Sequence, residues 1–381
     1  MSLFLLTIFG IYSAVHVYAF FRVKAAFPLG IITGIFLAFF MAAMTFAPIM
    51  VRILERHGYD LQAKVISYIG YTWMGVIFLF FSISLLIDIY RLFAYGTGLI
   101  FHADMVPFIP SAQYAFLIPL FLALSLTLYG YFDALAIRLE KISIYSNKIP
   151  ETIDRLRIAQ ISDVHLGIIV REERLTRILK VIREAEPDIL ISTGDLVDGQ
   201  IDSLSGLADI LKQVQPRYGK YAITGNHEFY AGLPNALKFT REAGFTMLRG
   251  EVITSAGPIN IAGVDDPTGR YFGVPKGTSE KELLSGLPKD TFTLLLKHQP
   301  MVNESTLGLY DLQLSGHTHK GQIFPFRYMV RIFFPHIAGW YDLSKGSYLY
   351  VSRGTGTWGP PIRFLSPPEV TVIDLVHDRV P

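Results

Sequence analysis

Four long apolar runs occupy the first third of this 381-residue chain, roughly Leu3–Phe21, Leu29–Val51, Val65–Ile87 and Tyr114–Phe132. Each approaches or exceeds the ~20 residues that cross a hydrocarbon core as a helix. Buried helices of a soluble protein are the alternative. Four in succession with almost no internal charge favour a bilayer, where only internally satisfied backbones survive. The chain as a whole is 51% hydrophobic and 17% charged, with a mean hydropathy of +0.38. Met1-Ser2-Leu3 has no basic residue, and three further runs follow, so the first run is expected to stay as a span and not to act as a cleaved signal. His16 lies inside that run. It is either a functional intramembrane group or a neutral histidine facing the interface. Asp88, Arg91 and Asp133 fall at span ends and read as boundary markers.

Orientation follows from the cationic residues between spans. Arg52, Arg56 and Lys64, then Arg138, Lys141 and Lys148, lie on one side, and Arg22, Lys24 and Arg91 on the other. This predicts a multi-pass protein of a cell or inner membrane with both termini, and the large C-terminal part, in the cytoplasm. Neither part carries a marked charge excess, which disfavours a general nucleic-acid binder. There is no cysteine, so disulfides, thiolate metal sites and a cysteine nucleophile are excluded. Any metal has to be held by carboxylate, imidazole and amide oxygen.

The expected organisation is a four-helix transmembrane domain over 1–140, a linker over 141–154 and a second domain over 155–381. In that second domain, strands are predicted at Leu156–Ile161, Ile189–Ser192, Tyr221–Ile223, Ile259–Val264, Thr291–Leu296, Leu312–Leu314, Tyr348–Val351 and Val370–Leu375. Helices are predicted at Glu172–Ala185, with Leu175, Ile178, Leu179 and Ile182 on one face, at Leu204–Val214 and near Leu233–Ala243. Alternating strands and helices followed mostly by strands suggest a layered α/β domain.

Polar motifs follow these strands, where ligand sites gather in open α/β sheets. They are Asp163-Val164-His165, Gly194-Asp195, Gly225-Asn226-His227-Glu228, His298, and Gly316-His317-Thr318-His319. On extended backbone, residues two apart point the same way, so Asp163 and His165, or His317 and His319, can grip one ion. The Asp195 carboxylate has two oxygens and can bridge two cations. Singly, each motif reads more simply as a turn or a core histidine. Together they point to a dinuclear hydrolase site.

From about Arg155 to Leu375 the chain resembles the calcineurin-like metallophosphoesterase superfamily, whose pattern is D-x-H, G-D-x-x-D, G-N-H-D/E, H and G-H-x-H. Asp163-Val-His165, Gly194-Asp195-Leu-Val-Asp198, Gly225-Asn-His-Glu228, His298 and Gly316-His-Thr-His319 fill every position. Tyr350-Val351-Ser352-Arg353-Gly354 and Pro367-Pro368-Glu369 are similar to its membrane-associated bacterial branch, in which Lys320 is more often Gly. The resemblance implies a β-sandwich flanked by helices. It implies one metal on Asp163, His165 and His319, a second on Asn226, His298 and His317, and Asp195 between them. N and O donors suit Mn, Fe, Zn or Co, with Mn favoured.

The expected chemistry is hydrolysis of a phosphoester by direct attack of a metal-bridging hydroxide, with His227 protonating the leaving oxygen and Asp198 orienting His227. Residues 320–341 interleave Phe324, Phe326, Tyr328, Phe333, Phe334, Trp340 and Tyr341 with Lys320, Arg327 and Arg331. They read either as a core-packing loop or as a lipid-facing lip. The second favours a lipid-like phosphodiester or pyrophosphate as substrate. Soluble phosphoesters, phosphoproteins and a catalytically inactive membrane regulator are the alternatives.

Overall fold

A computed structural model describes residues 3–199, 204, 206–275 and 277–378. The chain divides into two compact units: residues up to Phe132 together with Gly359–Ile362, and Asp133–Trp358 with the segment from Arg363 onward.

The first unit contains α1 (Leu3–Ala26), α2 (Ile31–Arg56), α3 (Asp60–Phe101) and most of α4 (Tyr114–Leu135). All four are long and apolar enough to cross a membrane. At 42 residues α3 outruns the expected span, extending about 63 Å at 1.5 Å per residue. Several polar residues within these helices are paired. Tyr18 and Arg22 of α1 both donate to the Asp88 carboxylate of α3, at 2.6 and 2.8 Å. Asp88 is thus an interhelical anchor and not a boundary marker. His16 is buried, not interface-facing. Its Nδ1–H donates to the Tyr12 carbonyl at 2.8 Å, and its Nε2 accepts from the Trp73 indole at 2.9 Å. Both ring nitrogens are satisfied by a neutral tautomer, which makes it a packing residue.

The second unit continues with β1 (Arg138–Ser146), β2 (Leu156–Ile161), α5 (Glu172–Ala185), β3 (Ile189–Ser192), α6 (Leu207–Lys212), β4 (Lys220–Ala222), α7 (Asn226–Tyr230), α8 (Leu233–Glu242) and β5 (Thr246–Met247). Next come β6 (Glu251–Ala256), β7 (Ile259–Gly263), α9 (Glu280–Ser285), β8 (Phe292–Leu296), β9 (Leu312–Ser315), α10 (Arg327–Phe333), β10 (Gly339–Asp342), β11 (Tyr348–Val351) and β12 (Glu369–His377). They build two six-stranded mixed sheets, ordered β1-β12-β2-β3-β4-β5 and β10-β11-β9-β8-β7-β6.

The sheets share one apolar core. Ile158, Ile189, Ile191 and Ile373 of the first meet Ile261, Leu294, Leu314 and Tyr350 of the second. Helix α5 buries Leu175, Ile178, Leu179 and Ile182, has Glu172 and Glu173 in its first turn, and ends in a left-handed Glu186 before Pro187. Strands β3, β8 and β9 are buried along both faces, as central parallel strands are.

The segment expected as the linker over 141–154 carries most of β1, which pairs in parallel with β12 from Arg138↔Glu369 to Ser146↔His377. Its alternating burial left too weak an apolar signal beside the preceding span. The predicted Leu204–Val214 helix is confined to α6; Leu204 is outside the helix, and residues 203 and 205 lie outside the described residues.

Leu294 is wholly buried between the sheets. Leu294→Ala is expected to destabilise the catalytic unit by ~2–5 kcal/mol, read as an earlier denaturant midpoint in tryptophan fluorescence.

Candidate metal centre

The loops after β2, β3, β4, β8 and β9 bring all the motif side chains to one end of the sandwich. The parallel pairings β2–β3–β4 and β8–β9 point these strands the same way. What happens next differs from the expectation of residues two apart on extended backbone. Asp163, His165, Asp195, His317 and His319 all have positive φ, between 48° and 71°. Left-handed backbone costs a side-chain-bearing residue about 1–3 kcal/mol and persists only where the surroundings impose it. It turns the chain sharply out of each strand and sends successive side chains inward. Lys320, with φ 51°, continues the turn. Glycine would occupy that position without strain.

Three groups of donors converge: Asp163 with His165 and His319, Asp195 with His298 and His317, and His165 with Asp195 and His227. His319 Nε2 is 3.1 Å from His165 Nε2 and 3.4 Å from Asp163 Oδ1. On the other side, His317 Nδ1 is 2.9 Å from Asn226 Oδ1 and 3.2 Å from His298 Nε2. Asp195 Oδ2 faces both groups, 3.2 Å from His298 Nε2 and 3.9 Å from His165 Nε2. His298 donates its Nδ1–H to the Thr193 carbonyl at 2.8 Å, which fixes the ring with Nε2 directed at Asp195.

This set fits divalent cations. Lone pairs of nitrogen and oxygen crowd together within a buried space, and the donors are of the hard-to-borderline kind. Close approach is built in: a Cβ at Gly225 would overlap Asp195 Oδ1, and one at Gly316 would overlap Ser162 Oγ and Asp163 Oδ2. His165 Nδ1 is buried with no hydrogen-bond partner among the described residues.

Electrostatics support the same reading. Burial pushes the Asp195 carboxyl up, but His298, His227 and His165 outweigh it and hold the group well below its usual range. Burial lowers His298, yet Asp195 raises it well above an ordinary histidine. His227, also depressed by burial, is raised to about 9 by Asp195 and Asp198. Burial brings His165 and His317 down to about 3 and His319 below the histidine range. At neutral pH three imidazoles are therefore neutral with lone pairs available, while protons on His298 and His227 balance the Asp195 charge. Protons stand where cations would serve.

His227 Nδ1 donates to Asp198 Oδ1 at 2.9 Å. Its ring also meets Tyr230 and Trp358, with centroids 5.3 and 5.6 Å away.

Two supporting residues escape sequence reasoning. Buried Glu228 accepts from the amides of Gly225, Asp195 and Leu196 at 2.6, 3.0 and 2.8 Å. It locks the β3 loop to the β4 loop. Its place in the Gly225–Glu228 motif was visible, but not its partners. Arg363 is wholly buried. It donates to the carbonyls of Arg353 and Gly356 and to His319 Nδ1, the last at 3.0 Å. A neutral ring accepting at Nδ1 carries its proton on Nε2, so a cation taken up at Nε2 would need that proton moved to Nδ1 and the Arg363 bond given up. Nothing in a linear sequence marks an arginine for burial.

Glu228→Gln would turn one acceptor oxygen into a donor facing an amide N–H. The expected cost is ~1–3 kcal/mol, with a lower melting temperature and less metal retained by elemental analysis after purification.

The family model for calcineurin-like phosphoesterases matches residues 156–321. An uncharacterized metallophosphoesterase of Aquifex aeolicus (strain VF5) is 40% identical over 257 residues, which are 67% of this chain and 98% of that protein. A transmembrane protein with metallophosphoesterase domain from Danio rerio is 35% identical over 239 residues, covering 60% of this chain and 55% of the relative. Among solved structures, a putative 5'-nucleotidase from Staphylococcus aureus matches with a TM-score of 0.35 and 15% identity, over 59% of this chain and 55% of that one. The matched segment encloses the loops that carry the converging side chains. The chain belongs to the calcineurin-like metallophosphoesterases and is a metal-dependent phosphoester hydrolase.

Proposed function

We propose that this protein is a membrane-anchored phosphoesterase holding two divalent cations, manganese being the favoured ion. Asp163, His165 and His319 would hold one, Asn226, His298 and His317 the other, with Asp195 shared. The observation that carries this reading is the Asp195 Oδ2 atom, which faces a nitrogen of each group. Bound cations would supply the charge that acidifies water and offsets the negative phosphoryl oxygens.

The chain's own residues do the rest. Asp195 and Asp198 favour the protonated form of His227, so it can donate to the departing oxygen, a contribution typically worth ~10²–10⁴-fold. Asp198 fixes the ring from Nδ1 and leaves Nε2 for the substrate. The expected route is a single displacement in which water activated by bound cations is the nucleophile; the absence of cysteine is consistent with it.

We infer further that α1–α4 cross the membrane and that the catalytic unit lies in the cytoplasm, from the Lys/Arg distribution between the spans. The name of the Danio rerio relative supports the membrane assignment. A tethered enzyme meets lipids far more often than dilute solutes. A lipid-like phosphodiester or pyrophosphate is therefore the favoured substrate.

Asp195→Asn is expected to lose bound metal and at least ~100-fold in turnover of a nitrophenyl phosphodiester. Wild-type turnover by this variant would overturn the shared-ligand role. His227→Ala should keep its metal, lose ~10²–10⁴-fold on alkyl phosphodiesters, and lose less on nitrophenyl esters, whose leaving oxygen needs no proton.

A further inference from the structure

Helix α10 contains no buried residue. Its side chains and those beside it are large and apolar: Phe326, Tyr328, Met329, Ile332 and Phe333 are all exposed, Ile332 at 70% and Phe333 at 69%. Isolated apolar residues at a surface need no explanation, but a contiguous group of this size does. The only charges on the helix are Arg327 and Arg331. Arg327 lies over the rings of Phe324 and Tyr328, at 4.7 and 5.7 Å. Arg331 makes no ion pair among the described residues. From Lys320 to Tyr341 there is no Asp or Glu. The next residue after the helix, Phe334, packs edge-on against His317, with ring centroids 4.8 Å apart.

We propose that α10 is an interfacial element that docks on an anionic lipid surface and sets the mouth of the metal centre at headgroup level. Apolar side chains interleaved with arginine, on a segment lacking acids, match a bilayer boundary: the rings and Ile332 enter the acyl margin, and the guanidinium groups meet lipid phosphates. A second copy of the chain fits less well. A two-fold contact through this face would bring like-charged arginines together with no carboxylate to meet them. The docking rests on the reading of α1–α4 as membrane spans, since these keep the bilayer permanently within reach of the catalytic unit. Its functional consequence is that a phosphoester in the headgroup plane reaches His317 and its neighbours without leaving the membrane.

The chain has no cysteine, so one introduced thiol labels uniquely. Full-length Ile332→Cys carries an environment-sensitive nitrobenzoxadiazole probe in nanodiscs containing phosphatidylglycerol, with lipids spin-labelled high on the acyl chain. Lys180→Cys, on the exposed face of α5, is the control. The expected result is a blue-shifted probe at 332 quenched at least about twofold more than at 180. Arg327→Glu with Arg331→Glu should abolish that excess quenching and leave hydrolysis of a soluble nitrophenyl phosphodiester unchanged. Equal quenching at both positions overturns the docking. Equal quenching at 332 in purely phosphatidylcholine discs overturns the anionic requirement. A blue shift that needs high protein concentration and shows no lipid quenching assigns the face to a second copy and overturns the proposal. Fluorescence reports the docking whether or not the enzyme turns over, so its failure is separable from failure of the metal reading.

Discussion

The buried carboxylate of Glu228 is the contact on which the metal centre most depends. It takes up the amides of Gly225, Asp195 and Leu196, groups that the turns after β3 and β4 would otherwise leave without partners. The amide of His227 is satisfied in turn by Asp195 Oδ1, which leaves Oδ2 directed at the histidines. Glu228 also sits beside Asp195, and burial together with that neighbouring charge raises its pKa to about 7. Two carboxylates are held close, and cations or protonated imidazoles make that arrangement more tolerable. The architecture of the loops and the demand for positive charge are one fact seen from two sides.

Much of this was legible in the chain. The apolar runs before each motif announce β2, β3, β8 and β9 because central parallel strands are buried on both faces and must be apolar throughout. Helix α5 begins and ends at its expected residues because Leu175, Ile178, Leu179 and Ile182 keep helical spacing and Pro187 closes it. The four apolar helices are visible because they are long and nearly free of charge.

Other features leave no local trace. The strand β1 is only partly buried and follows an apolar span closely, so its two-residue period is easily lost. The positive φ of Asp163, His165 and Asp195 is imposed by tertiary partners, above all the interlocked β2 and β3 loops, where Asp163 and His165 donate amides to Gly194 and Asp195 carbonyls. Arg363 becomes a core residue only because four carbonyls and the His319 ring happen to surround it in space. Convergence was inferable from motif types; the backbone that achieves it was not.

The two sheets contribute unequally to each half of the centre. Asp163, His165, Asp195 and Asn226 leave the first sheet, whereas His298, His317 and His319 leave the second. Each proposed cation would therefore be gripped from both layers at once and act as a rivet across the open end of the sandwich. Ion uptake and the cohesion of the two layers then become linked equilibria: whatever prises the sheets apart expels the ions, and ion binding resists the prising by an amount that grows with the logarithm of its affinity.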